Sequence, residues 1–213
     1  MLVIRIISRI NGFEVELIAN PGGLAREQQI ELVRELNAIS IDAFNKPTPP
    51  EETWERTVRV GRIYLLKDSG RIVGYATNAL MELNGIGVNY FSSALLRREV
   101  QNKGLYGPLN RLRVETIDSD VIMTRTQNPL VVKGFLSLCE QLGMQGFPNG
   151  ISPTERVMDI ARAYSPNVDP DMVCKGVYGR ALMDNTPNPC KSIEHICSKL
   201  DVDRGDGLIL IGV

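Results

Sequence analysis

The spacing of apolar residues changes once within the first fifty positions. Residues 2–9 are rich in Ile and Val, and after Asn11-Gly12 the apolar residues alternate over 13–17. Asn-Gly between two strand-like segments predicts a hairpin, because both residues accept positive φ angles. From residue 24 the apolar positions take the spacing of one helical face, which predicts a helix over 24–43.

The middle of the chain repeats both patterns in a defined order. A short helix is predicted over 51–58, followed by strands over 62–67, 71–83 and 86–96, a helix over 105–117, a strand over 121–125 and a helix over 129–142. The short turns between the three strands predict an antiparallel meander. The later strand–helix–strand order is typical of parallel crossovers, so the predicted sheet is mixed.

The last third is less regular. It is predicted to contain a helix over 153–163, a strand over 172–183, a helix around 193–200 and a final strand over 208–213. A length of 213 residues suits one large domain. We therefore expect a single domain over 1–213.

Charge and composition narrow the classes of function. Lys plus Arg is 24 and Asp plus Glu is 25, so no overall field attracts nucleic acid or an anionic membrane, and an anion site must be local. No apolar segment reaches the ~20 residues that cross a bilayer, and the N-terminal segment has arginines where a secretion signal would be apolar. Four cysteines without CxxC spacing suit reduced thiols, which favours the cytoplasm.

Two sequence patterns resemble metal sites but lack the arrangement that a metal needs. Three ligands at the spacing of Cys190, His195 and Cys197 on one helix cannot converge tetrahedrally on zinc. The acidic segment 201–207 lacks the glycine and glutamate positions of a calcium loop. We expect no metal.

A local anion site is predicted where a strand meets a helix. Gln101, Asn102, Lys103, Gly104, Leu105, Tyr106 and Gly107 form this junction. Backbone N–H groups at the start of a helix can face a phosphate, and Gly104 would let the backbone approach it closely. Lys103, Arg97 and Arg98 add positive charge. The segment matches neither a Walker loop nor the GxGxxG fingerprint. The alternative is an ordinary glycine-containing loop.

The segment LRREVQNKGLYGPL, residues 96–109, resembles the acyl-CoA-binding motif of the GNAT superfamily of N-acyltransferases, Gln/Arg-x-x-Gly-x-Gly/Ala. Gln101 and Gly104 match this motif; Tyr106 occupies its small-residue position, and Gly107 is displaced by one. The segment CEQLGM, residues 139–144, resembles the Tyr-x-Lys-Leu-Gly-Phe ending of the family's next helix. The resemblance covers about residues 1–147.

The resemblance implies an α/β fold with a mixed, centrally splayed sheet of the GNAT type, helices on both faces and an elaborated C-terminal third over 148–213. It implies acetyl-CoA or another acyl-CoA as co-substrate. The residues that would contact the cofactor are Ala94, Leu95 and Leu96 beside pantetheine, Gln101, Asn102, Lys103, Gly104, Leu105, Tyr106 and Gly107 at the pyrophosphate, and Asn128.

The resemblance also implies that a primary amine attacks the thioester directly in a ternary complex. Glu82 is the candidate base, with a solvent-facing carboxylate beside a turn as the alternative. Cys139 occupies the place of the family's usual tyrosine acid, with a packing role as the alternative. Asn128 followed by Pro129 is also a good helix N-cap, and the two roles of Asn128 are compatible.

Two other functions remain open from the sequence. A GNAT-fold protein that binds coenzyme A or a related metabolite without transfer would suit the missing tyrosine and the bulky Tyr106. A structural or partner-binding module is the third hypothesis. The acceptor is expected to be an amine of a small molecule or a peptide, with no nucleic acid or membrane partner. Residues 145–190 are expected to form a lid or a homodimer contact, and the sequence does not choose between them.

Overall fold

The computed structural model describes residues 4–213; Leu2 and Val3 of the predicted first strand lie outside the described residues. The strands are β1 (Ile4–Ile10), β2 (Phe13–Ala19), β3 (Arg62–Asp68), β4 (Arg71–Leu83), β5 (Ile86–Leu96), β6 (Val121–Thr126), β7 (Gly146–Phe147), β8 (Val173–Cys174) and β9 (Gly207–Gly212). The helices are α1 (Arg26–Phe44), α2 (Pro50–Thr57), α3 (Tyr106–Glu115), α4 (Pro129–Leu142), α5 (Glu155–Tyr164) and α6 (Glu194–Cys197), with 3-10 helices at Pro21–Gly23 and Arg98–Val100.

The nine strands belong to a mixed sheet with helices on both sides, which confirms the predicted fold class. The chain divides into two compact units. The first extends to Leu80 and resumes at Phe91–Ile117; the second consists of Met81–Tyr90 and Asp118–Val213. β4 and β5 therefore each contribute to both units, and the single domain over 1–213 stays a prediction.

The first unit begins with the predicted hairpin. Asn11 and Gly12 both have positive φ angles, 49° and 89°, and Ile10 pairs with Phe13 across the turn. β2 pairs antiparallel with β3, and β3 pairs antiparallel with β4. The antiparallel start of the sheet is thus confirmed.

Alternation along β3 explains how the first unit buries two helices. Ile63 and Leu65 pack in one apolar cluster with Leu36 of α1, whereas Tyr64 and Leu66 pack in another with Leu109 of α3. Because successive side chains of a strand point to opposite faces, β3 is buried on both sides. α1 and α3 therefore cover opposite faces of this part of the sheet.

The second unit is built around β9, which is buried along its whole length. β9 pairs antiparallel with β6, with β7 and with β8. Six consecutive buried residues, including Leu208–Ile211, make this strand apolar on both faces. Its apolar sequence predicted the strand, but the two-residue β7 is too short to give a sequence pattern.

Two predictions for the C-terminal third were wrong. Only Val173–Cys174 of the strand predicted over 172–183 is extended, because Gly176 and Gly179 take positive φ angles of 62° and 66° and the chain turns at both. The helix predicted around 193–200 is reduced to Glu194–Cys197. Within residues 4–213, no helix combines the length and apolar character needed to cross a membrane.

Candidate functional site

The junction between β5 and α3 is held by side chains at both ends. Gln101 Nε2 donates a hydrogen bond to the carbonyl of Leu96 (2.9 Å), which ties the first residue of the predicted motif to the end of β5. Asn11 Nδ2 donates to the carbonyl of Lys103 (3.1 Å). The sequence analysis assigned Asn11 only to the hairpin turn; its support of this loop is a contact across 92 positions that no local pattern indicates.

Backbone conformation exposes a row of N–H groups in this loop. Asn102 and Gly104 have positive φ angles of 62° and 68°. The first backbone hydrogen bond of α3 runs from Leu109 N to Leu105 O (3.1 Å). Across the described chain, residues 4–213, the N–H groups of residues 102–107 have no hydrogen-bond acceptor in the protein. Such N–H groups, with the positive end of the helix dipole, form an anion-binding arrangement.

Only some of the positively charged side chains of this loop are available to an anion. Arg98 binds Asp42 through its backbone N (2.7 Å) and through Nε (3.3 Å). The backbone N–H and guanidinium of Arg98 hold the pKa of Asp42 below its usual value. Lys103 lies with its ammonium 5.7 Å from the ring centre of Phe13. Lys103 is therefore the better placed cation for a ligand on these amides.

Tyr106 occupies the motif position at which the GNAT pattern has a small residue. Burial raises the pKa of its phenol above the ordinary value, while a hydrogen bond with Asn110 and the nearby Arg113 partly offset that rise. The ring thus follows α3 towards Asn110 and Arg113.

Arg113 fixes α3 against the strand it packs on. It is 1% exposed and donates to Asn78 Oδ1 (2.7 Å), to the carbonyl of Thr77 (2.6 Å) and to Asn110 Oδ1 (2.7 Å). Its guanidinium also lies 4.1 Å from the ring centre of Phe91. Burial lowers the pKa of Arg113 to about 10. A buried charge therefore holds α3 against β4.

The predicted pantetheine strand is tightly packed from one side. A Cβ atom at Gly74 would lie 2.4 Å from Leu96 Cδ2 and 3.0 Å from the carbonyl oxygen of Leu95, so a larger residue would make the end of β5 shift. Ala94 and Leu96 pack against the apolar cluster of α3, and Leu95 packs against that of α1. The contact of Ala94, Leu95 and Leu96 with pantetheine stays a prediction.

In the second unit Asn128 caps α4, as one of its two predicted roles required. Its Oδ1 accepts a hydrogen bond from Leu130 N (2.9 Å), and Pro129 is the first helical residue. Asn128 Nδ2 lies 3.8 Å from Met183 Sδ. The cap is confirmed, and contact of Asn128 with the cofactor stays a prediction.

Replacing Asn128 with alanine is expected to lower the free energy of unfolding by about 1 kcal/mol, because an orphan N–H of the first helical turn loses its acceptor. Urea denaturation followed by circular dichroism measures this change. Asn128→Asp keeps an acceptor at the same position and should remain within about 0.5 kcal/mol of the wild type. Equal losses in both variants would show that the cap is not what stabilises this end of α4.

The two predicted catalytic residues lie in contrasting surroundings. Glu82 is exposed in β4 beside the turn at Asn84. Cys139 is 1% exposed, and burial raises its thiol pKa to about 12. Its Sγ lies so close to Gly212 that a Cβ atom there would be 2.7 Å away. These surroundings favour the packing role for Cys139; the catalytic roles of Glu82 and Cys139 stay predictions.

Comparison with known proteins gives a likeness in structure only. No protein-family model matches the sequence, and a search of curated proteins found no match. Among solved structures, a GNAT family acetyltransferase from Elizabethkingia anophelis with acetyl-CoA bound is 13% identical, with a TM-score of 0.48, over 95% of this chain and 98% of that one. The similar structures include many GNAT acetyltransferases.

Two more structures describe the range of these similarities. The ribosomal-protein-S18-alanine N-acetyltransferase from Escherichia coli is 10% identical, with a TM-score of 0.48, over 92% of each chain. A candidate acetyltransferase from Pyrococcus horikoshii is 16% identical, with a TM-score of 0.48; it matches 69% of this chain, which spans 46% of that protein. At these identities the likeness concerns the fold alone.

Proposed function

We propose that this protein is an acyl-CoA-dependent N-acyltransferase that transfers an acetyl group to a primary amine of a small molecule or a protein. The observation that carries the proposal is the row of N–H groups at residues 102–107, at the start of α3, which have no acceptor among residues 4–213. This row begins directly after Gln101 and includes Gly104, and these are the two residues that match the acyl-CoA motif.

The diphosphate of coenzyme A is the ligand that this loop suits. Several N–H donors can satisfy both phosphate groups, and the positive φ at Gly104 turns the backbone without placing a side chain over them. Lys103 supplies a full positive charge beside the donors. The hydrogen bond from Gln101 to Leu96 and the buried contacts of Arg113 hold the loop and α3 before the ligand arrives, which lowers the ordering cost of binding.

Catalysis in this proposal rests on positioning. Holding an amine against the thioester carbonyl replaces a bimolecular encounter, and effective molarities of ~10⁵ M or more are available in this way. The amine attacks the carbonyl carbon, the C–S bond breaks, and coenzyme A leaves as the thiolate. Glu82, directly or through water, is the proposed acceptor of the amine proton. Coenzyme A thiolate can leave without an assigned acid, so the reaction does not depend on Cys139.

The proposal also includes a cellular location and the class of acceptor. The protein acts in the cytoplasm, where acyl-CoA and reduced thiols coexist, on an amine acceptor. The proposal also assigns residues 145–190 to either a lid or a homodimer contact. Within residues 4–213, no three side chains of His, Cys, Asp or Glu are grouped as a metal would need.

Isothermal titration calorimetry with acetyl-CoA and with desulfo-CoA tests the proposal. We expect both to bind, because the diphosphate makes the contacts described above, and we expect pantetheine to bind at least about 100-fold more weakly, since it lacks the diphosphate. Absence of binding at millimolar acetyl-CoA would remove the proposal.

A second candidate function is binding of coenzyme A without transfer. It is favoured by the closed surroundings of Cys139, where the family's tyrosine acid would stand. A thiol-release assay with acetyl-CoA and a panel of amines separates the two functions. Binding in calorimetry together with no thiol release for any amine would favour this second function.

A further inference from the structure

The first unit contains a pocket of about 480 Å³ between α1 and α2, here called the α1–α2 pocket. Its walls include Arg26, Ile30, Val33 and Arg34 of α1 and Glu51 and Trp54 of α2. A volume of this size lies in the range of small-molecule sites in proteins. The predicted cofactor residues are not among those that line it.

Helical spacing places these α1 residues on one face. Arg26, Ile30 and Arg34 follow each other at intervals of four, so their side chains lie along one side of α1. Ile30 is 44% exposed, so its side chain is accessible to a ligand in this pocket. The pocket thus has an apolar floor, formed by Ile30, Val33 and Trp54, between charged rims.

The two rims carry opposite charges that do not pair with each other. Among residues 4–213, Arg26, Arg34 and Glu51 take part in no ion pair, so no salt bridge within 4.0 Å joins the two arginines to Glu51. The Arg26 guanidinium instead lies 4.1 Å from the ring centre of Trp54. On the α2 side, Glu55 is occupied by Arg59 (3.2 Å), which leaves Glu51 as the available carboxylate.

Hydrogen bonds hold the two helices in this arrangement. Asn37 Nδ2 of α1 donates to the carbonyl of Thr48 in the connecting loop (3.2 Å). Asn37 Oδ1 accepts from Thr53 Oγ1 of α2 (2.7 Å). Thr53 is 1% exposed, so this contact is protected from water. The pocket is therefore formed before any ligand binds, which favours affinity.

We propose that the α1–α2 pocket binds an apolar α-amino acid as a zwitterion. Its carboxylate faces Arg34 and Arg26, its ammonium group faces Glu51, and its side chain packs on Ile30, Val33 and Trp54. A ligand with only a carboxylate would leave Glu51 facing a like charge, and a ligand with only an amine would meet two guanidinium groups. The proposal is independent of acyl-CoA binding.

The fluorescence of Trp54, the only tryptophan of the chain, tests this proposal directly. L-phenylalanine and L-leucine are titrated without coenzyme A, and glycine, 3-phenylpropanoate and phenethylamine serve as ligands that each lack one required group. We expect a saturable change in emission with L-phenylalanine and L-leucine, and at least tenfold weaker binding of the other three. Equal binding of phenethylamine or 3-phenylpropanoate would overturn the zwitterion assignment, and absence of any change would overturn the site.

Charge-neutral variants decide which residues bind the ligand. Arg34→Gln and Glu51→Gln alter exposed side chains, so the fold should persist, as circular dichroism can verify. Each is expected to weaken L-phenylalanine binding at least tenfold. Glu35→Gln is the matched control, since Glu35 is exposed on α1 and does not line the pocket. Wild-type affinity in both Arg34→Gln and Glu51→Gln would contradict the proposal, whatever the outcome with acetyl-CoA.

Discussion

Replacing Gly104 with aspartate is expected to weaken acetyl-CoA binding by about 100-fold. A carboxylate would then stand beside the N–H groups that we propose bind the diphosphate. Two like charges ~5 Å apart at an effective dielectric constant of ~20 repel by about 3 kcal/mol, which corresponds to about two decades in the dissociation constant. Calorimetric titration of the variant with acetyl-CoA measures the change.

Two control variants separate charge from shape. Gly104→Asn has nearly the same size, and both Asn and Asp tolerate a positive φ such as the 68° of Gly104, so about tenfold weakening is expected. Gly70→Asp introduces the same charge at a turn with φ of 85° and no atom within 4 Å of the new Cβ, and should leave binding unchanged. Equal effects of Gly104→Asp and Gly104→Asn would argue against an anion at this loop. The difference in acetyl-CoA affinity between Gly104→Asp and Gly104→Asn should become smaller at high salt, because salt screens the repulsion.

Replacing Asp206 with asparagine is expected to lower the free energy of unfolding by about 2 kcal/mol. The carboxylate of Asp206 has no exposed surface and accepts hydrogen bonds from Gly176 N (2.8 Å), Asp201 N (3.1 Å) and Arg204 Nε (2.8 Å). An amide would place an N–H donor against one of these donors. Because the Arg204 side chain is 51% exposed, solvent screens the ion pair, and we expect less than the full loss for a buried pair.

The pH dependence of this loss identifies its electrostatic part. The hydrogen bonds from Arg204 and from the two backbone N–H groups hold the pKa of Asp206 well below its usual range. Stability from such a carboxyl is present above its unfolded pKa of about 3.9 and is lost as the pH falls towards the folded value. The difference in the free energy of unfolding between wild type and Asp206→Asn, measured by urea denaturation, should therefore be constant from about pH 8 to 5. Below about pH 5 this difference should become smaller.

The exposed Asp203 provides the matched control for Asp206. Asp203→Asn makes the same chemical change in the same loop and is expected to alter stability by less than about 0.5 kcal/mol. If the difference in the free energy of unfolding between wild type and Asp206→Asn grew as the pH fell, the predicted direction of the pH dependence would be wrong. A loss equal to that of Asp203→Asn would contradict the structural role of the Asp206 carboxylate.

Sequence patterns predicted most of the first 147 residues because their signals are local. The Asn11-Gly12 turn, the helical face of α1 and the Asn128–Pro129 cap each depend on residues within a few positions of each other. The strand over 172–183 was predicted from apolar content alone. Gly176 and Gly179, together with the bond from Tyr178 N to Gly205 O (2.9 Å), turn that segment instead.

In the candidate site, too, local patterns predicted some features and missed those that depend on distant residues. Gln101 and Gly104 were identified from their resemblance to the acyl-CoA motif, and an anion site was predicted from the junction of strand and helix. The inward path of Tyr106, the buried charge of Arg113 and the support from Asn11 depend on partners distant in sequence. Spacing within a motif carries no information about such partners.

The linear sequence was enough to predict most of the order of elements, the strand–helix junction over 101–107 and the turns that need positive φ angles. These features arise from backbone preferences and from periodicities of two or 3.6 residues, which a linear pattern contains. Three features became visible only in the fold: Cys139 packs against Gly212, the Asp206 carboxylate accepts hydrogen bonds from Gly176, Asp201 and Arg204, and α1 and α2 line a pocket with charged residues around Trp54. The physical reason is that burial and charge pairing depend on which distant residues meet, and that is fixed when the elements pack.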